Sequence, residues 1–127
     1  MDKNILAFLA AMGLVAGCSA SDGSKLGPQE FQAGYQTDTT AYVLDVRTPG
    51  EYASGHIEGA VLLDVSDRPS FEAALAVLPK DKTYYIYCRS GHRSSQAAGM
   101  MKEAGLKVVE LQGGMNAWGM AGMPVVK

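Results

Sequence analysis

Cysteine is scarce in this sequence, which has only Cys18 and Cys88 among 127 residues. No second thiol stands beside Cys88 and no cluster of cysteines and histidines occurs, which disfavours a disulfide framework, a dithiol redox motif and a structural metal site. Runs of basic residues are also missing, and the net charge of −2 makes nucleic acid an improbable partner. The 47% of hydrophobic residues is enough for the core of one ordinary domain.

The sequence has no apolar run long enough to cross a bilayer, which takes about 20 residues. The longest run, Ile5 to Ala16, is about 12 residues long. It follows a short polar start and leads into small residues, so residues 1–17 are predicted to be an export signal peptide.

The segment Leu14-Val15-Ala16-Gly17-Cys18 resembles the signal box of bacterial lipoproteins. That resemblance implies that Cys18 becomes a lipidated amino terminus and that residues 18–27 are the lipidated cysteine and a flexible tether. The protein is then expected at the periplasmic or extracytoplasmic face, in contact with the membrane through its lipid only. Ser19 favours the outer membrane if the bacterium has one. An ordinary secretory signal is the alternative.

Residues 28–127 alternate strand and helix patterns. Helices are predicted from Pro28, from Ser70, over Ser94–Ala104 and around Trp118. Strands are predicted at Tyr42–Val46, Ala60–Asp64, Thr83–Tyr87 and Val108–Leu111. Strands separated by helices indicate a three-layer α/β fold, with a central parallel sheet flanked by helices on both faces.

Cys88 directly follows the strand with the strongest β propensity and opens the segment Cys88-Arg89-Ser90-Gly91-His92-Arg93 before a helix. Backbone N–H groups at such a helix start, together with two guanidinium groups, favour thiolate over thiol. The pattern predicts a shallow anion cradle with a nucleophile at its floor. The alternative is a buried, inert cysteine at the end of a strand.

Four sequence blocks resemble the single-domain rhodaneses, which carry sulfane sulfur on a cysteine. The blocks are Leu44–Arg47 with Glu51-Tyr52, Gly55–Ala60, Tyr85–Ser94, and Gly113-Gly114 with Ala117-Trp118 and Gly122–Val125. The resemblance covers residues 28–127, the expected rhodanese-like domain, and implies that Cys88 takes sulfur from thiosulfate or a related donor as a persulfide. A thiophilic small molecule, or a protein, would accept it. By the same resemblance, loop N–H groups from Arg89 to Arg93 hold the persulfide, and no cofactor is expected.

Two other functions remain open from the sequence. A phosphatase or arsenate reductase is disfavoured, because related phosphatases place an arginine six positions after the cysteine, where this chain has Ser94. A persulfide or anion carrier for a partner, without turnover of its own, is the other alternative.

Four further polar residues are interpreted as structural rather than as participants in acid–base or nucleophilic chemistry. Asp45 and Arg47 are predicted to form a buried pair that organises the loop, with a place on the rim of the site as the alternative. His56 is interpreted as a turn histidine, and His92 is expected to contribute its backbone N–H rather than acid–base chemistry.

Overall fold

The computed structural model describes residues 25–127, in which five strands form a sheet between helices. The strands are β1 (Lys25–Leu26), β2 (Ala41–Asp45), β3 (Val61–Leu62), β4 (Thr83–Tyr87) and β5 (Lys107–Leu111). The helices are α1 (Pro28–Thr37), α2 (Pro49–Ser54), α3 (Arg68–Val77), α4 (His92–Glu103) and α5 (Gly114–Met120). Among these helices, none has both the length and the apolar character that a bilayer span requires.

The sheet has the strand order β1-β5-β4-β2-β3, and every neighbouring pair is parallel. A parallel neighbour requires a crossover connection, which the helices supply. The prediction of a three-layer α/β fold is therefore confirmed. Because β4 lies in the middle of the sheet, the loop that follows it opens at the centre of the carboxyl edge.

Two hydrophobic cores cover the two faces of the sheet, and β4 contributes to both. Tyr84 and Ile86 point to the face covered by α3 and α4, whereas Tyr85 and Tyr87 point to the face covered by α1 and α5. This alternation is the period of two that a strand imposes on its side chains. Burial on both faces explains why Tyr84–Tyr87, the buried part of the predicted strand, is apolar or aromatic throughout.

The end of the predicted tether belongs to the fold, which corrects one boundary. Lys25 and Leu26 form the edge strand β1 beside β5, and Leu26 accepts a hydrogen bond from Gln112 N at 2.8 Å. This pairing gives the backbone of β5 a partner on its outer side, a long-range gain that a local polar composition does not reveal. The ordered domain thus includes residues 25–27. The predicted signal peptide, Cys18 and the rest of the tether lie outside the described residues.

Helix α2 was not predicted, although its start signal is present in the sequence. Thr48 caps it, and Glu51 closes a capping box by accepting from Thr48 N at 3.1 Å, with Pro49 at the first position. The helix has six residues and none of them is buried, so no apolar period marks it.

Two other helices begin earlier than predicted. Helix α3 is capped by Asp67, whose carboxylate accepts from Ser70 N, so Ser70 lies inside the first turn rather than at the cap. Helix α4 begins at His92, because Gly91 adopts the left-handed conformation (φ +105°) and serves as its N-cap. Strand β3 is shorter than the predicted Ala60–Asp64, since Ala60 N bonds Ile57 O in a turn.

Candidate active site

Cys88 lies at the carboxyl end of the central strand β4, where the chain turns into helix α4. Two strands flank β4, so the loop from Cys88 to Gly91 emerges between two other strand ends. The reversal depends on Gly91, whose positive φ is rarely adopted by residues with a side chain. This is the usual position of a ligand crevice in an open α/β sheet.

The sulfur of Cys88 is held by donors from the start of α4. Gly91 N–H donates to Sγ at 3.0 Å, and Ser94 Oγ lies 3.5 Å from the same atom. Burial raises the pKa of the Cys88 thiol, but hydrogen bonds from the Ser94 hydroxyl and from backbone N–H groups outweigh it. Those backbone groups belong to Ser94, Gly91 and Ser90, and the net pKa is lowered. The arrangement favours the nucleophilic thiolate.

The cysteine is more enclosed than the sequence suggests. Cys88 is 1% exposed, so its sulfur lies deeper than the floor of a shallow cradle. The enclosure arises because loop backbone wraps the sulfur and because Ser94, which is fully buried, packs behind it. A sulfur this enclosed suits a small reactant better than a bulky one.

The first turn of helix α5 supports the Cys88 loop through backbone hydrogen bonds. Met115 N donates to Cys88 O and Asn116 N donates to Arg89 O, both at 2.9 Å. A Cβ atom on Gly114 would lie 2.5 Å from Cys88 O, and the φ of this residue is +58°. The close approach of α5 to the Cys88 loop therefore requires glycine at position 114.

The charged residues of the catalytic loop lie in different surroundings. Arg93 is clamped by Glu51 of α2 through two hydrogen bonds, NH1 to Oε1 at 2.7 Å and NH2 to Oε2 at 2.9 Å. Hydrogen bonding to Arg93 lowers the pKa of Glu51 to about 2. Arg89 and His92 are exposed, and within residues 25–127 neither side chain has a hydrogen-bond partner.

Asp45 and Arg47 form a buried pair below the site. The guanidinium donates to both carboxylate oxygens, at 2.7–3.1 Å, and its NH2 also donates to Gly55 O at 2.6 Å. Burial lowers the pKa of Arg47, and the hydrogen bonds and charge of Asp45 more than offset that effect. The pair connects the end of β2 to the turn after α2, whose helix carries Glu51. It thus reaches the catalytic loop through α2 and does not contact Cys88 directly.

Two residues near the sulfur were not identified from the sequence. Ser94 was noted for the loop length alone, yet its hydroxyl oxygen lies 3.5 Å from Sγ, and hydrogen bonding to it helps to lower the pKa of Cys88. Glu51 was named only as part of a block that resembles the rhodaneses, yet it holds Arg93 across 42 positions of sequence. Its capping box with Thr48 was the local signal that could have located it.

His56 occupies the turn after α2, as interpreted from the sequence. Its Nδ1 lies 2.8 Å from Tyr52 O, and its ring stacks on that of Tyr52 at 3.7 Å between centroids. These contacts are local to the turn, and they leave the imidazole with a structural part in the fold.

Comparison with known protein families shows that residues 27–121 match the description "Rhodanese-like domain". Among curated proteins, the chain is 39% identical over 109 residues to the probable adenylyltransferase/sulfurtransferase MoeZ of Mycobacterium tuberculosis. That alignment includes 84% of this chain but only 28% of the relative.

Shorter relatives are matched over most of their length. The sulfurtransferase of Allochromatium vinosum is 40% identical over 85 residues, which are 66% of this chain and 77% of that protein. The thiosulfate sulfurtransferase GlpE of Stutzerimonas stutzeri is 32% identical over 99 residues, 77% of this chain and 86% of that one.

A solved structure supports the same relationship. The rhodanese-related protein of Thermoplasma volcanium superposes with a TM-score of 0.71 at 28% identity, covering 80% of this chain and 96% of the other. The similarity therefore extends over most of this chain and nearly all of the other.

Proposed function

This chain belongs to the rhodanese-like domain family, and from that premise we propose that it is a sulfurtransferase working through a persulfide on Cys88. Thiosulfate or a related anion would be the donor, and a thiophilic small molecule or protein the acceptor. The observation that carries the proposal is the Gly91 N–H at 3.0 Å from Sγ, at the start of α4. The thiosulfate-specific name of one relative supports the choice of donor.

The proposed reaction has two transfers. The Cys88 thiolate attacks the outer sulfur of thiosulfate; the new S–S bond forms as the old one breaks, and sulfite leaves with the bonding electron pair. The resulting persulfide anion is then attacked at its outer sulfur by the acceptor, which returns Cys88 as thiolate. This is covalent, ping-pong catalysis.

The loop stabilises the anions of both steps. The Gly91 N–H donates to the sulfur, N–H groups of Ser90 and Ser94 help it to lower the pKa of Cys88, and such fixed donors need no reorganisation when charge develops. Arg93 lies near enough to the thiolate for the negative charge of Cys88 to raise its pKa, alongside the larger effect of Glu51. Arg89, which is exposed, is proposed to attract the sulfonate end of the donor.

The direct test measures thiocyanate release from thiosulfate and cyanide, with intact mass before and after thiosulfate. We expect many turnovers per protein and one added sulfur atom, and both should disappear in Cys88→Ser. Release of a single equivalent would instead identify a carrier. Hydrolysis of an aryl phosphate faster than sulfur transfer would identify a phosphatase.

A second variant tests how the thiolate is stabilised. Ser94→Ala removes a hydrogen bond to a charged sulfur, an interaction of about 1.5–3 kcal/mol, so transfer at neutral pH should fall about 10- to 150-fold. Because Ser94 helps lower the pKa of Cys88, the rising limb of the pH–rate profile should move to higher pH. An unmoved limb would contradict this assignment.

We also propose that the domain works outside the cytoplasm, anchored by lipid on Cys18. The support is the sequence of residues 14–18 alone. The test is mass spectrometry of the protein from its native membrane fraction, compared with Cys18→Ala. An unacylated amino terminus on the wild-type protein would indicate an ordinary secretory signal.

A further inference from the structure

A cavity of about 210 Å³ adjoins the catalytic loop on the side of β5. Its walls include Lys25, Ser90, Gly91, Ser95, Glu110 and Gln112. Gly91 is common to both sites, because it lines the cavity and its N–H binds the Cys88 sulfur. A molecule in this cavity therefore lies against the residue whose N–H binds the Cys88 sulfur. The volume is below the 300–1,000 Å³ of typical drug-sized pockets, which suits a small metabolite.

The cavity contains a buried carboxylate that is only half satisfied. Glu110 of β5 is 5% exposed, and its Oε1 accepts a hydrogen bond from Ser95 Oγ at 3.0 Å. Among residues 25–127, no hydrogen bond or ion pair is made to Oε2. An acidic group in such a place is costly unless a cation or further donors meet it. The arrangement thus calls for a positively charged ligand group.

Lys25 is close in register but does not fill that role. Strand pairing places its Cα opposite that of Glu110, yet the two side chains form no ion pair within 4.0 Å in the described part of the chain. The Lys25 side chain is exposed and lines the edge of the cavity. The cavity therefore presents a negative charge inside and a positive charge at its rim.

We propose that this cavity binds the sulfur acceptor, and that the acceptor is a small amino thiol. Its ammonium group would bind Glu110, and a carboxylate, where the acceptor has one, would face Lys25. The acceptor thiolate attacks the outer sulfur of the Cys88 persulfide, giving the persulfide of the amino thiol and the free Cys88 thiolate. The inference rests on the proposed sulfurtransferase function, which leaves the identity of the acceptor open.

The kinetic test compares two acceptors that differ in one group. Cysteamine and 2-mercaptoethanol are each assayed with thiosulfate against the wild-type protein and Glu110→Gln. Because each acceptor is compared with itself, the difference in thiol reactivity cancels. We expect the KM for cysteamine to rise about 10-fold and that for 2-mercaptoethanol to stay within about twofold. Equal changes for both acceptors, or no change for either, would overturn the proposal.

A matched variant tests the rim. Lys25→Ala should raise the KM for cysteine, which has a carboxylate, and should leave that for cysteamine unchanged. An unchanged KM for cysteine would exclude the part assigned to Lys25.

Ser95→Ala provides a second route should Glu110→Gln fold poorly, because it removes the only described hydrogen-bond partner of the Glu110 carboxylate without altering charge. It too should change the KM for cysteamine more than that for 2-mercaptoethanol, and an equal effect on both would count against the proposal.

A binding test separates this inference from the proposed function. Ethanolamine, which has the ammonium group but no thiol, is titrated into ¹⁵N-labelled protein. The amide signals of Gly91 and Glu110 should shift in the wild-type protein and not in Glu110→Gln. Shifts without any sulfur transfer would uphold the cavity and refute the transferase. Transfer without shifts would do the reverse.

Discussion

Two acid–arginine pairs lie on the same side of the catalytic loop but differ in their surroundings. Asp45–Arg47 is buried, with side chains 0% and 6% exposed, and its members are two residues apart. Glu51–Arg93 is partly open, with both side chains nearly 30% exposed, and it joins α2 to α4. Both have an N–O distance of 2.7 Å. The two ion pairs therefore have equal distances but very different solvent exposure.

The contrast separates holding a fold from adjusting a site. A buried charge that loses its partner remains in a medium of low polarity, and the cost falls on the folded state. A partly exposed charge is screened by solvent, and its loss changes local potential more than stability. We expect the buried pair to matter for the free energy of unfolding and the open pair for the anionic donor.

The largest effect is expected from breaking the buried pair. Asp45→Asn keeps the shape but leaves the Arg47 charge unpaired, so the free energy of unfolding should fall by about 3–5 kcal/mol. Urea unfolding measures this change. The double variant Asp45→Leu/Arg47→Met, which removes both charges, should lose less than the single one. A larger loss in the double variant would show that packing, not charge, dominates.

The open pair should contribute to stability in a defined acid range. Arg93 lowers the pKa of Glu51 from 4.5 to about 2, so the folded state prefers the carboxylate. Its contribution is fully present above pH 4.5 and is lost as the pH falls through the folded pKa. After allowing for solvent screening it should be about 1 kcal/mol. Glu51→Gln should show a shallower loss of stability between these limits, and identical slopes in the two proteins would contradict the assignment.

The open pair should also control donor affinity. Removing the negative charge in Glu51→Gln leaves the Arg93 charge uncompensated, so the KM for thiosulfate should fall about two- to fivefold at low salt. Arg93→Gln should raise it. The gain in Glu51→Gln should vanish at high ionic strength; a KM that rises in this variant would mean that Glu51 chiefly positions the guanidinium.

The smallest effect is expected at a third pair that serves as the control. Arg68 and Glu72 are more than half exposed, with a nitrogen–oxygen distance of 3.9 Å in α3. Glu72→Gln should change the free energy of unfolding by less than about 0.5 kcal/mol and leave the KM for thiosulfate unchanged. If Glu72→Gln changed the KM for thiosulfate as much as Glu51→Gln does, the effect would come from the net charge of the protein rather than from the position of the charge beside Arg93.

The sequence alone was sufficient for the features that depend on local patterns. The run at Thr83–Tyr87 matches its strand without error, because β propensity and burial on both faces agree there. Asp45 and Arg47 were expected to pair, since two positions at the end of one strand can meet without help from the rest of the fold.

Features formed by distant segments were not predictable in the same way. Glu51 meets Arg93 only after α2 and α4 have been brought to one edge of the sheet. Strand β1 depends on a pairing across 85 positions, in which Lys25 lies opposite Glu110. The small polar residues around Lys25 do not predict this pairing. The backbone hydrogen bonds that support Cys88 and Arg89 come from the first turn of α5, which follows later in the chain.

The hydrogen bonds from the first turn of α5 to the Cys88 loop have a consequence for metal ions. Soft ions such as Cu(I) and Zn²⁺ bind thiolates but need further electron-pair donors to complete their coordination. The carbonyl oxygens of Cys88 and Arg89 already accept hydrogen bonds from Met115 N and Asn116 N, and the Gly91 N–H donates to the sulfur. A thiolate exposed on a protein surface could bind copper ions from solution. Here a cation arriving at the sulfur would compete with the Gly91 N–H, and the backbone carbonyls of Cys88 and Arg89 are already engaged.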